Sequence, residues 1–213
     1  IPMVVLSGQV PSNLIESDAF QETDMVGVSR PVVKHSFIVK HCSEIPLIVR
    51  KAFHIATTGR PGPVVIDIPK DTTDPDILET YEFPKNIQMR SYNPVVEGNS
   101  KQIAKAAKQI FSSKKPVVYV GGGAVQSDAS EELKAMATLL RVPVTNTLMG
   151  LGAFPGSDKQ CLGMLGMHGT YQANMAMHGA DLIVAVGARF DDRVTNNPEK
   201  FCPEAKIIHI DID

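Results

Sequence analysis

The sequence predicts an α/β protein in which parallel sheets are flanked by helices. Three observations predict it. Apolar runs without alternation, such as Val64–Ile68, Pro116–Val120 and Leu182–Val186, read as strands buried on both faces. Segments with apolar residues at helical spacing stand between such runs, which implies right-handed crossovers and parallel pairing. Glycines and charged residues cluster directly after several runs, at the strand ends where open α/β sheets bind ligands.

In chain order, Ile1–Leu6 reads as a buried strand closed by Ser7-Gly8. Residues 9–30 are loop-like and acidic, with Glu16, Asp18, Glu22 and Asp24. Pro31–Val39 holds a short strand. Ser43 is a candidate cap for a helix reaching about Thr57, with Ile45, Ile48, Val49, Ala52, Phe53 and Ala56 on its apolar face. Gly59 stands where a helix stop is expected. Arg60-Pro61-Gly62-Pro63 turns rigidly into the strand Val64–Ile68. Residues 71–100, with Pro75, Pro84 and Pro94 and no sustained periodicity, are the linker candidate. Ser100 caps a helix whose face is Ile103, Ala106, Ala107, Ile110 and Phe111. After the strand Pro116–Val120 and Gly121-Gly122-Gly123, Asp128 and Glu131 form a capping pair for a helix carrying Leu133, Met136, Ala137 and Leu140. Val142–Thr147 is a strand. A glycine- and methionine-rich loop, Leu162–Gly169, leads into a helix ending near His178. Strands over 181–187 and 206–212 complete the series.

Composition narrows the function. A hydrophobic share of 43% supports a packed core, and 21 basic against 23 acidic residues leave no basic field for nucleic acid. No apolar run approaches the ~18 residues that span a bilayer. Cys42, Cys161 and Cys202 form no CxxC pair, which fits a reduced, intracellular protein. The chain begins and ends in strand-like runs, so a fragment of a longer polypeptide is expected.

Four strand ends carry ligand-type residues: Gly121–Gly123, Thr147–Gly152, Gly187–Arg193, and Asp211 with Asp213. Glycine lets backbone amides approach phosphate oxygens. Arg189 or Arg193 suits a pyrophosphate or carboxylate, and Asp211 suits a ribose or ribityl hydroxyl. Together they point to a dinucleotide. Each has a plainer reading. Gly121–Gly123 departs from GxGxxG at Gln126 and equally reads as a tight strand-to-helix turn. Asp211 and Asp213 equally read as a solvated strand end. His168 has no metal-binding partner at ligand spacing, and contact with an aromatic cofactor ring or a simple turn fits it better. Met149, Met164 and Met167 also read as core filler. Lys70 is either a solvated strand end or a guard for an anionic substrate.

The chain resembles the catalytic large subunits of the acetohydroxyacid synthase (acetolactate synthase) family of thiamine-diphosphate enzymes. The carriers are Leu6–Pro11, Asp18–Glu22, Gly59–Pro63, Leu148–Gly152, Met164–Gly169 and Gly187–Thr195. The resemblance implies that residues 1–85 are the C-terminal part of a pyrimidine-binding domain. Residues 86–98 would be a linker, and 99–213 a Rossmann-like FAD-binding central domain. It implies condensation of two 2-ketoacids, with loss of carbon dioxide, to 2-acetolactate or 2-aceto-2-hydroxybutyrate for branched-chain amino acids. Thiamine diphosphate, magnesium and a non-redox FAD are the implied cofactors. The thiamine-activating glutamate and the magnesium ligands would lie outside these residues, leaving no metal site here and a fragment inactive alone.

By the same resemblance, Arg60, Gly121, Gly122, Gly123, Thr147, Leu148, Met167, His168, Gly187, Ala188, Arg189, Asp191, Val194 and Asp211 would contact FAD. Gln21 and Phe20 would lie near the thiamine and reacting carbons. Arg193 would hold the second substrate's carboxylate. Pro11, Ala19, Lys70, Met167 and Asp192 would line the access channel. A homodimer, a small regulatory subunit and, on a bacterial reading, a cytoplasmic location are also implied. Two alternatives stay open. One is a related thiamine enzyme such as a pyruvate oxidase. The other is a non-catalytic nucleotide-binding module, because no acid-base set stands within the chain.

Overall fold

The computed structural model describes residues 1–77 and 82–213 and divides into two units, Ile1–Val96 with Asp213, and Glu97–Ile212. Part of the linker candidate 71–100 and of the expected domain 1–85, residues 78–81, lies outside the described residues.

The first unit is built on the parallel strands β1 (Met3–Gln9), β2 (His35–Ile38) and β3 (Pro63–Pro69), ordered β1-β3-β2. Its most apolar strand takes the centre, and Val64, Val65 and Ile66 are all buried. Helix α1 (Met25–Ser29) arises in a stretch expected to be loop, because the Asp24 side chain accepts from the Gly27 amide at 2.8 Å. Helix α2 (Ile45–Thr57) buries Ile48, Ala52, Ile55 and Ala56 against Val64 and Ile66. Four expectations need correction. Strand β1 is an edge, with Leu6 63% exposed, because it pairs on one side alone. It also runs on through Ser7-Gly8, since the register with Asp67, Ile68 and Pro69 continues. No Ser43 cap forms; Pro46 pre-sets the first turn of α2 instead. Phe53 lies one residue, about 100°, off the buried face and is exposed.

The second unit holds β4 (Pro116–Val120), β5 (Val144–Asn146), β6 (Cys161–Met164), β7 (Leu182–Val186) and β8 (Lys206–Ile210). All pairings are parallel, in the order β6-β5-β4-β7-β8. Alternate residues of each central strand feed two cores. Val118, Val120, Leu182 and Val184 pack with Ala124 of α4 (Gly122–Gln126) and Leu133 and Ala137 of α5 (Ser130–Leu140). Val117, Tyr119, Ile183 and Ala185 pack on the other face with Met177 of α6 (Tyr171–His178). Helices on both faces make the sheet doubly wound. The chain proceeds β4, β5, β6 outward, then returns to the far side of β4 for β7 and β8. The topological switch lies between β4 and β7, where such sheets open a ligand crevice.

Here too the structure departs from expectation. Strand β6 overlaps the start of the stretch Leu162–Gly169 read as loop. Gly163 takes φ +85° within it, which hid the strand pattern. Helix α3 (Ser100–Ser112) is capped by Asn99, whose side chain accepts from the Lys101 and Gln102 amides at 3.0 and 3.2 Å. Its expected apolar face is not buried: Ile110 alone of the five packs against the core, and Phe111 is 79% exposed. Asp128 and Glu131 cap nothing, because Asp128 adopts φ +56° and Ala129 takes the cap position. Among the described residues no helix is long and apolar enough to cross a membrane.

Candidate functional site

In the second unit, the carboxyl ends of β5, β4, β7 and β8 lie side by side, as the register pairs Val120 with Asn146 and Val186, and Val186 with Ile210. Gly121–Gly123, Thr147, Gly187 and Asp211 therefore share one edge. Asp213 groups with the first unit. Backbone bonds stitch the ends past the strands. The amides of Gly121, Gly123, Thr147 and Gly187 donate to Val186, Gly187, Val120 and Ile210 at 2.8–2.9 Å.

The glycines serve this close approach. A Cβ on Gly121 would collide with the Gly187 carbonyl, and one on Gly123 would lie 2.7 Å from the Gly187 Cα. Gly187, at φ +56°, has the Ala124 amide nitrogen 2.5 Å from its own missing Cβ. So the tight-turn reading holds for the packing of Gly121 and Gly123, whose amides are spent. Gly122 opens helix α4 and faces Met149.

Residues 188–195 are held from below by Phe190. Its ring meets those of Tyr119, His209 and Phe201 at centroid distances of 5.5, 5.6 and 6.1 Å. Tyr119 Oη donates to the Arg189 carbonyl at 3.3 Å, and His209 Nε2 lies 2.9 Å from that of Ala188. Burial pushes the Tyr119 phenol up, so it stays a donor. Asp191 caps helix α7 (Asp192–Thr195) by accepting from the Arg193 amide at 3.1 Å, and pairs with Arg189 at 3.2 Å. The guanidinium of Arg189 is thereby aimed while remaining exposed. Asp211 is no bare strand end: its carboxylate lies 3.4 Å from His209 Nε2. Ala188 is 1% exposed, so its side chain belongs to the core.

A second contact brings Met167 to Arg193. The Met167 amide donates to the Arg193 carbonyl at 3.0 Å, and Sδ lies 4.0 Å from the guanidinium. Gly166, at φ +101°, permits this, since a Cβ there would lie 2.8 Å from the same carbonyl. Val194 packs against the core beneath. Met149, Met167 and Leu148 are exposed, so the two methionines are not core filler. His168 is exposed beside Met167. Asp192 lies 3.9 Å from Arg193, both in solvent. No cluster of His, Cys, Asp or Glu able to hold a metal occurs among the described residues.

In the first unit, the ends of β1 and β3 frame a cleft of about 680 Å³. Pro11, Phe20, Gln21 and Lys70 line it; Ala19, next to Phe20 in the chain, does not. Phe20 is 90% exposed, and Gln21 adopts φ +68°. Carboxylates hold this loop. Glu22 accepts from the amides of Glu16 and, at 2.9 Å, Ala19; these bonds hold its pKa below the usual carboxylate range. Asp71 accepts from the Ser12 amide and hydroxyl at 2.8 and 3.1 Å, and its pKa is lowered for the same reason. Arg60 stands apart from the cleft, in the turn after α2.

Sequence reasoning missed Gln9, Asp67 and Phe190. Asp67 had a visible signal, a lone acid inside a buried apolar run. Phe190 had none, because its ring partners come from β4, β8 and the segment leading into β8.

A family model described as "Thiamine pyrophosphate enzyme, central domain" matches residues 103–213. The whole chain is 62% identical to the acetolactate synthase large subunit of Haemophilus influenzae, covering 37% of that protein. It is 58% identical to the acetolactate synthase isozyme 3 large subunit of Escherichia coli, again over all of this chain and 37% of the relative. It is 52% identical, over 36% of the relative, to the probable acetolactate synthase large subunit of Methanocaldococcus jannaschii. The chain spans little more than a third of the length of these curated relatives. With its doubly wound sheet matched over more than half of its residues, the chain belongs to the thiamine pyrophosphate enzyme family.

Proposed function

We propose that this chain serves in an acetolactate synthase, joining two 2-ketoacids with loss of carbon dioxide. The observation that carries the reading is identity of 52–62% to large subunits of that name across all 213 residues. The products would be 2-acetolactate from two pyruvates and 2-aceto-2-hydroxybutyrate from pyruvate with 2-ketobutyrate.

The chain's own residues fit distinct parts of this task. When bound, thiamine diphosphate supplies the electron sink for decarboxylation, and FAD performs no net redox work. Phe20 and Gln21 face the first unit's cleft, where Gln21 offers a neutral donor and acceptor to a reacting carbonyl. Lys70 supplies positive charge there for an anionic ketoacid. Arg193 presents a planar fork suited to a carboxylate, steadied by Met167.

FAD fits the second unit's edge. The edge lies at the topological switch, Arg189 is pre-aimed by Asp191, and the Asp211 carboxylate would accept from ligand hydroxyls. Gly122, Thr147, Leu148, His168 and Gly187 would complete its surroundings. Magnesium does not fit the described residues, which offer no ligand cluster; we place its ligands outside this chain. We also assign residues 1–85 to a pyrimidine-binding domain and 99–213 to the FAD domain. A homodimer in the cytoplasm, paired with a small regulatory subunit, completes the reading; the relatives' name "large subunit" supports that partner.

The test joins this chain to the flanking segments of the Haemophilus influenzae relative. Given pyruvate, thiamine diphosphate, magnesium and FAD, the chimera is expected to form acetolactate. A well-folded chimera without product would contradict the proposal.

A further inference from the structure

Strand register decides which side chains meet at the first unit's edge. Ser7 pairs with Asp67 and Gln9 with Pro69. Residues two apart on a strand share a face, so Ser7, Gln9 and Asp67 point to the same side of the sheet. That side is opposite the one covered by α2, whose partners are Val64, Ile66 and Ile68.

Asp67 is 1% exposed at the centre of this sheet. A lone carboxyl in that position is costly unless its bonds do something. Oδ2 accepts from Gln9 Nε2 at 3.0 Å, while Oδ1 has no hydrogen-bond partner among the described residues. The second N–H of the Gln9 amide donates to the Thr23 carbonyl at 2.6 Å, and Oε1 accepts from the Val10 amide at 2.9 Å. Three partners therefore fix the amide's orientation. Thr23 follows Phe20, Gln21 and Glu22 directly. The loop in between carries Glu16, Asp18 and Gln21 at positive φ, a conformation that persists only when surroundings over-determine it. Asp71 at Ser12 ties one end of the loop, and Gln9 at Thr23 ties the other.

We propose that Asp67 is a positioning residue: acting through Gln9, its buried carboxyl fixes Thr23 and thereby the Phe20–Gln21 corner that faces the cleft. Burial pushes the Asp67 pKa up, with the nearby Asp24 charge adding to the rise, and the Gln9 bond and the neighbouring Ser7 hydroxyl oppose it. The carboxyl is retained at that cost because it holds the Gln9 fork. This proposal rests on the reading that Phe20 and Gln21 serve the condensation.

The test uses the native holoenzyme with Asp67→Ala, Asp67→Asn, Gln9→Ala and the double variant Gln9→Ala/Asp67→Ala. Two quantities are read: kcat and KM for pyruvate, and hydrogen exchange of the amides of residues 12–24. Asp67→Ala is expected to lower kcat about tenfold with faster exchange over 16–24, by the usual cost of unpairing a buried partner. Asp67→Asn, which keeps an oxygen for Gln9, is expected to recover most of the loss. Gln9→Ala leaves the sheet centre intact and is expected to match Asp67→Ala, with the double variant no worse than either single. Unchanged exchange and kcat in Gln9→Ala, or additive losses in the double variant, would overturn the proposal. Gln21→Ala separates the two readings. If it too leaves condensation intact, the role of the loop has failed; if it impairs condensation while the Gln9 and Asp67 variants do not, the positioning role alone has failed.

Discussion

The two sheet edges solve the same problem by different means. At the second unit's edge, backbone meets backbone. Gly121, Gly123 and Gly187 interlock, Gly166 admits the Arg193 carbonyl, and Phe190 wedges the charged loop from below. At the first unit's edge, side-chain carboxylates do the holding: Glu22 within the loop, Asp71 at Ser12, and Asp67 through Gln9. A backbone lock tolerates no added atom but is indifferent to pH. A carboxylate lock tolerates conservative substitution but depends on protonation.

The largest effect expected from this contrast is at Gly187. Alanine there meets both a positive φ and the Ala124 amide. Gly187→Ala is expected to cost about 3–5 kcal/mol of unfolding free energy, read by denaturant titration. A loss under about 1 kcal/mol would break the backbone-lock account. Next comes Arg193→Ala. Losing a charge-assisted fork is expected to lower kcat/KM for the second ketoacid about 10- to 100-fold. Stability should hold within about 0.5 kcal/mol, because the side chain is exposed. Wild-type discrimination between ketoacids in that variant would remove the role.

Acid should act on the first edge. Glu22 and Asp71 have lowered folded pKa values, so their stabilisation is present above the unfolded value, about 4, and is lost as pH falls through the folded one. Asp67 has the opposite sign: its contribution is full below the unfolded value and is lost as pH rises through the raised folded one. Acidification should therefore speed proteolysis within residues 10–24 while leaving the interlocked Gly121–Gly123 and Gly187 protected, and Glu22→Gln should flatten that dependence. Equal acid sensitivity at both edges would erase the distinction. The smallest effect is reserved for Gly156, where an added Cβ meets nothing within 4 Å. Gly156→Ala should stay within about 0.5 kcal/mol of the parent.

What was legible in the sequence follows the same division. Strands β3, β4 and β7 were readable because burial on both faces leaves continuous apolar runs. The grouping of glycines and charges at strand ends was readable because α/β topology places ligands there. Strand β6 was not, since Gly163 breaks its pattern and it lies at a sheet edge. Asn99 and Ser100 are both capping types, so the start of α3 slipped by one residue. Why Gly121 and Gly187 must both be glycine depends on a meeting of chain segments far apart in sequence. The Asp67–Gln9–Thr23 fork depends on register between β1 and β3, which no single stretch encodes.

The most direct measurement follows acetolactate and oxygen together while the chimera turns over pyruvate. The account predicts acetolactate with no oxygen consumed, and a carboxylate-specific loss on Arg193→Ala. Oxygen uptake without carbon–carbon bond formation would contradict it and point to flavin redox chemistry at the second unit's edge.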